Sequence, residues 1–229
     1  MRWIPVFLCV SAVALLGVSC VSGQTADEKI LRCIRTCVGI RGVESPLCLE
    51  NPDVSDNQMI VRSCWDSDSL YFHFEVRDTD LRAFQTEQDH PQLFLDDMIE
   101  VLIDADNDKG PHWKEDDIVY HINILGVKKD DRGTALHTSD ATWNGRARYR
   151  VELYGSVNDA SDCDTGYTVE LVIPWSEIGK TPTAGTALGV NFANGDNDGC
   201  GRQLYDWCNA IPMRSPNVFG TLILYDICP

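Results

Sequence analysis

The chain has 229 residues, of which 44% are hydrophobic and 24% charged, a globular composition that excludes a disordered or fibrous chain. Against 19 basic residues stand 35 acidic ones, and the net charge of −16 disfavours nucleic acid and anionic membrane surfaces as partners. Such a charge suits bound divalent cations, and it equally suits a solvated, self-repelling surface.

The N-terminus reads MRWIPVFLCVSAVALLGVSCVSGQ, with Arg2 ahead of an apolar run from Ile4 to Val18 and small residues after it. That is the form of a secretory signal peptide over residues 1–23, and the run is too short for a comfortable membrane span. A secreted protein with no membrane insertion is expected. LLGVSC also resembles a lipoprotein box around Cys20, although Gly17 stands where that signal takes a larger apolar residue. Beyond Cys9 and Cys20 the cysteines are Cys33, Cys37, Cys48, Cys64, Cys163, Cys200, Cys208 and Cys228. An even set in an exported chain suggests disulfides, whose pairing the spacing does not give. The paired C-x-x-C clusters of a zinc site are absent.

Residues 24–57 form a cysteine-containing extension. TADEKILRCIRTCVGIRG places Ile30, Cys33, Ile34 and Cys37 at helical spacing and predicts a short helix capped near Thr25. The following VESPLCLENPDVSDN is turn chemistry, so the extension is expected to be pinned by disulfides.

From Gln58 the period changes to two. MIVRSCW and LYFHFEV flank Asp66-Ser67-Asp68-Ser69, a hairpin pattern with Leu70, Phe72, Phe74 and Val76 on one face. In MIEVLID, Ile99, Val101 and Ile103 oppose Met98, Glu100 and Leu102; in IVYHINIL, Ile118, Tyr120, Ile122 and Ile124 oppose His121 and Asn123. RARYRVELYG, GYTVELVIPW, TALGVNF and NVFGTLILYD complete about eight strands, and only Trp175–Ile178 reads as a helical turn. The pattern over residues 58–229 is all-β: an antiparallel sandwich resembling a jelly roll.

Two loops alternate oxygen-bearing side chains: Asp104, Asp106 and Asp108 after one strand, and Asn194, Asp196 and Asp198 after another. Alternating oxygens suit calcium, which takes six to eight such ligands, and the same residues also suit solvated turns. Lys109 stands where the helix-loop-helix calcium motif takes glycine, and a strand precedes the loop, so that motif is excluded. Glu100 and Glu170 both lie on non-core strand faces, but carboxylates are too abundant for their spacing to define a catalytic pair. No G-x-S-x-G, H-E-x-x-H or phosphate loop occurs, and the reading is non-enzymatic. Glu100, His121 and Asn123 share a polar sheet face that the loop aromatics Phe94, Trp113 and Trp207 can border. Hydrogen-bonding groups framed by aromatic faces suit a sugar, although outward faces of soluble sandwiches are polar in any case.

Taken in order, RSCWDSDSLYFHFEVRD, LDDMIEVLIDADND, GYTVELVIPWSEIG, LGVNFANGDNDG and VFGTLILYD resemble the family 9 carbohydrate-binding modules from about Gln58 to Asp226. The resemblance implies an antiparallel β-sandwich with structural calcium that binds carbohydrate without catalysis. Matched through the motifs, the family's sugar-binding glutamate falls on Glu100 and its asparagine on Asn123, while His121 replaces an arginine. Its two clamp tryptophans fall near Phe94 and Met213, so one aromatic is smaller and the other is missing; Trp113 or Trp207 are the aromatics available to substitute. Two other readings stay open. Related sandwiches of the DOMON type hold haem b between methionine and histidine, for which Met98, Met213 and His121 are candidates. A structural extracellular-matrix or adhesion domain without sugar binding is the third.

Overall fold

The computed structural model describes residues 29–35, 47–50, 57–199, 201–210 and 215–226. The expected leader at 1–23, Met213, Cys37, Cys200 and Cys228 lie outside the described residues, as does the side chain of Cys48.

The period-two segments become strands. β1 is Ile30–Arg35, β2 Leu47–Glu50, β3 Gln58–Trp65, β4 Ser69–Arg77, β5 Met98–Asp104 and β6 Asp117–Asn123. β7 follows at Lys128–Gly133, β8 at Ser139–Asp140, β9 at Arg148–Tyr154 and β10 at Gly166–Pro174. After the single helical turn α1, Trp175–Ile178, come β11 Ala187–Asn197, β12 Arg202–Asp206 and β13 Gly220–Tyr225. The hydrogen-bonded path runs β8-β7-β6-β5-β11-β13-β1-β3-β4-β10-β9, with β12 on β11 and β2 on β3.

That path curls on itself around one core. Phe72 and Phe74 of β4 meet Phe192 of β11 edge-on, with ring centroids 5.3 and 6.0 Å apart, so strands distant along the path face each other. Ile99, Val101, Ile103, Ile118, Tyr120 and Ile122 all point into this core, on the face their alternation assigns. The β3–β4 turn forms because Asp66 Oδ1 accepts from the Asp68 and Ser69 amides at 2.8 and 2.9 Å.

The all-β sandwich stands, with two differences from the reading of the sequence. First, the helix expected near residues 25–37 is a strand where it is described. β1 fills the gap between β13 and β3 and pairs with both in parallel, which makes the sheet mixed rather than purely antiparallel. Leu31 and Cys33 are buried, and a place in the ladder outweighs a weak helical spacing. Second, Cys33, Cys64, Cys163 and Cys208 are free thiols, so no disulfide among them pins the extension. Among the described residues, the ladder of β1 on β13 holds the extension. Burial pushes the Cys208 thiol up to about 11, and its Sγ accepts from the Gly220 amide at 3.1 Å.

Candidate functional site

The outer face of β12-β11-β5-β6-β7 carries one rung of directly opposed residues: Asp206, Ala193, Glu100, His121 and Lys129. The small Ala193 leaves room above β11, and a pocket of ≈ 320 Å³ opens there between Phe94, Glu100, His121, Lys129, Arg202 and Leu204. His121 Nδ1 lies 3.0 Å from Glu100 Oε1, and both residues are only 5% exposed. On the β12 side the Arg202 guanidinium stands 5.3 Å from the Phe94 ring centroid and 3.8 Å from Glu100. Lys129 Nζ spans both oxygens of Asp131 at 3.0 and 2.9 Å. The pocket therefore combines an exposed aromatic ring, a buried carboxylate, an imidazole and two cations.

Phe94 is held at the rim by a pinned loop. It sits in a 3-10 turn, Leu93–Leu95, whose Leu93 is fully buried and anchors the turn. Asp96 accepts from the Phe84 and Gln85 amides at 2.9 and 3.0 Å, and Asp97 accepts from the Arg82 and Asn197 amides at 2.5 and 2.7 Å. Asn197 Nδ2 donates to Leu95 O at 2.7 Å.

The candidates named from the sequence divide sharply. Phe94, Glu100 and His121 meet at the pocket. Asn123 does not line it: fully buried, it donates to Gln85 O and Asp96 Oδ2 at 2.9 and 2.8 Å and accepts from the Val127 amide at 2.8 Å. Its amide ties together the loop that leads to Phe94. Trp207 turns into the core, 6.0 Å from Phe192, and Trp113 packs with Leu102, Val119 and Phe219 on the same outer face but away from the pocket. Neither serves as a clamp. Met98 is fully buried against Gly195 and also stays out of the pocket, so the methionine–histidine pair of the haem reading is not assembled among the described residues. Arg202, Leu204 and Lys129 escaped sequence reading. β12 is a five-residue strand whose residues are all half-buried, too short and too even for a clear alternation.

The acidic residues regroup as well. Asp106 pairs with Lys180 and Asp108 with Lys114, so the expected Asp104, Asp106 and Asp108 set does not converge. Asp104 joins Asp116 and Asp117 instead. Asn194 is taken up by Tyr167 OH at 3.2 Å and by Asn57. Asp196 converges with Asp78 and Asp97, all three buried, with a carboxylate oxygen of each within 4.8 Å of the others. Asp198 lines the small polar cleft beside them with Asn57, Asp78 and Thr79. Burial and then the neighbouring Asp78 push the Asp97 carboxyl up to about 9, and burial raises Asp78 to about 6. Asp78 and Asp97 lie outside both alternating loops, which is why spacing missed them.

Residues 47–227 match the family described as Carbohydrate family 9 binding domain-like. The chain belongs to that family. It is 26% identical over 70% of its length to the endo-1,4-beta-xylanase A of Thermoanaerobacterium saccharolyticum, and 26% identical over 72% to that of Thermotoga maritima. The chain spans only 12% and 14% of those relatives' lengths. A family 9 carbohydrate-binding module of Caldicellulosiruptor kristjanssonii, solved with cellotriose, superposes with a TM-score of 0.66 at 21% identity, covering 87% of this chain and 95% of that one. The same organism's module with glucose gives 0.64 at 21% identity, with 87% and 97% covered. Among the described residues no helix is long and apolar enough to cross a membrane.

Proposed function

We propose that the chain is a secreted, non-catalytic module that binds carbohydrate in the Phe94–Glu100–His121–Arg202 pocket. The observation that carries this reading is the convergence of an exposed aromatic ring with buried hydrogen-bonding groups in one pocket on the outer sheet face, in a chain of this family. Phe94 offers an apolar face to the C–H side of a sugar, and Glu100 and His121 supply an acceptor and a ring nitrogen for its hydroxyls. The solved relatives carrying glucose and cellotriose support a sugar of that class. Retention on immobilised cellulose and xylan, with free glucose as competitor, tests the reading. Retention that glucose releases supports it, and a chain that elutes with the void volume contradicts it.

Calcium is proposed at Asp78, Asp97 and Asp196. Burial strips hydration from these carboxylates, and the repulsion of Asp78 and Asp196 adds to it at Asp97 while that of Asp198, Asp80 and Asp164 adds to it at Asp78; a divalent cation offsets both costs. The ion would fix the 82–97 loop, through Asp97, and hence Phe94. Disulfides involving Cys37, Cys48, Cys200 and Cys228 belong to the same proposal for an exported chain.

A further inference from the structure

We infer that the pocket selects an acidic sugar, a hexuronate whose carboxylate is taken by Arg202; this rests on the carbohydrate reading above. The chain carries a net charge of −16, yet two of the pocket's lining residues are cations. Lys129 is already satisfied, since Asp131 accepts from it with both oxygens. Glu100 has His121 at 3.0 Å. Arg202 differs. Its nearest carboxylate, Glu100, stands at 3.8 Å, beyond hydrogen-bond range, and among the described residues its buried Nε has no hydrogen-bond partner.

The guanidinium is nevertheless held in place. Its Cζ stands over the Phe94 ring, 5.3 Å from the centroid, and only 22% of the side chain is exposed. A planar cation held against an aromatic ring, with its Nε–H left unpartnered, is built to take a planar carboxylate through two parallel hydrogen bonds. A neutral hydroxyl would leave most of those donors unmet in a part-buried site, which costs affinity. A carboxylate on C5 of a pyranose sits at the ring's edge, so the same sugar can still present its C–H face to Phe94. Leu204, beside Arg202 on β12, gives that edge an apolar neighbour and limits the water that would otherwise screen the pair.

Calorimetry on the full chain in calcium buffer tests the inference with four probes: glucuronic acid, its methyl ester, glucose and glucose 6-sulfate. Glucuronate is expected to bind roughly tenfold more tightly than its uncharged ester and than glucose, the size of one charge-assisted hydrogen bond. That advantage should shrink as salt rises, and Arg202→Gln should bring the glucuronate-to-ester ratio close to one. Equal or tighter binding of glucose or the ester overturns the acidic-sugar inference and leaves the carbohydrate reading standing. Tightest binding of the sulfate overturns the carboxylate assignment, and no binding by any of the four overturns both readings. The wild-type comparison needs no variant, so a misfolded Arg202→Gln protein leaves the test intact.

Discussion

Replacing Asn123 by alanine separates positioning from contact. The wild-type amide serves three groups, Gln85 O, Asp96 Oδ2 and the Val127 amide, at 2.9, 2.8 and 2.8 Å. Asp96 keeps the Phe84 and Gln85 amides as donors, so its loss is partial. Gln85 O and the Val127 N–H lose that partner, at about 1–3 kcal/mol for each polar group left unmet. Allowing some relaxation, Asn123→Ala is expected to cost about 2–4 kcal/mol. At about 2–4 °C per kcal/mol for a domain of this size, that lowers Tm by roughly 4–16 °C. Thermal unfolding followed by circular dichroism reads the shift directly. Asn123→Asp, which sets a second carboxylate against Asp96, should be at least as damaging at neutral pH and milder in acid. A Tm within about 2 °C of wild type for Asn123→Ala would refute the idea that this side chain ties down the Phe94 loop.

Trp207→Phe should lower stability through lost core packing while leaving sugar affinity within about twofold, checked by parallel melting and calorimetry; a large affinity loss would return Trp207 to the site. Chelator should lower the melting temperature of wild type, because a ligand that binds only the native state stabilises it. Asp97→Asn should melt at the same temperature with calcium and with chelator, and a surviving calcium increment would remove Asp97 from the cation site. The hydrogen bond from His73, and the nearby Arg62 charge, hold Glu75 below its ordinary carboxyl range. A depressed folded-state value stabilises above the unfolded value of 4.5 and is lost as pH falls through the folded one. Glu75→Gln should therefore cost a small amount near pH 7, discounted because Glu75 is 41% exposed, and progressively less as pH falls below 4.5.

The strand faces were legible because burial on one side enforces a period of two; Ile99, Val101 and Ile103 point inward as their spacing requires. Glu100 and His121 were legible for the same reason, as polar residues opposite an apolar face. β1 was misread because Ile30, Cys33 and Ile34 satisfy a helical spacing in isolation, and only pairing with β13 and β3 decides otherwise. Asn123 and Trp207 show a different limit. Alternation and composition mark a side chain as polar or aromatic, but whether it meets a ligand depends on loops that fold over it from distant parts of the chain. The proposed cation site has the same character: Asp78, Asp97 and Asp196 come from three separate segments that only the closed sandwich brings together. Arg202 was hidden in a strand too short to show a period.

The most direct test of the central claim is a titration of isotopically labelled, calcium-loaded protein with cellotriose and glucuronic acid, followed through its backbone amide resonances. The account predicts saturable shifts concentrated at Phe94, Glu100, His121, Arg202 and Leu204. Shifts centred instead on the opposite face, around Arg62, His73 and Glu75, or no shifts with either sugar, would contradict it.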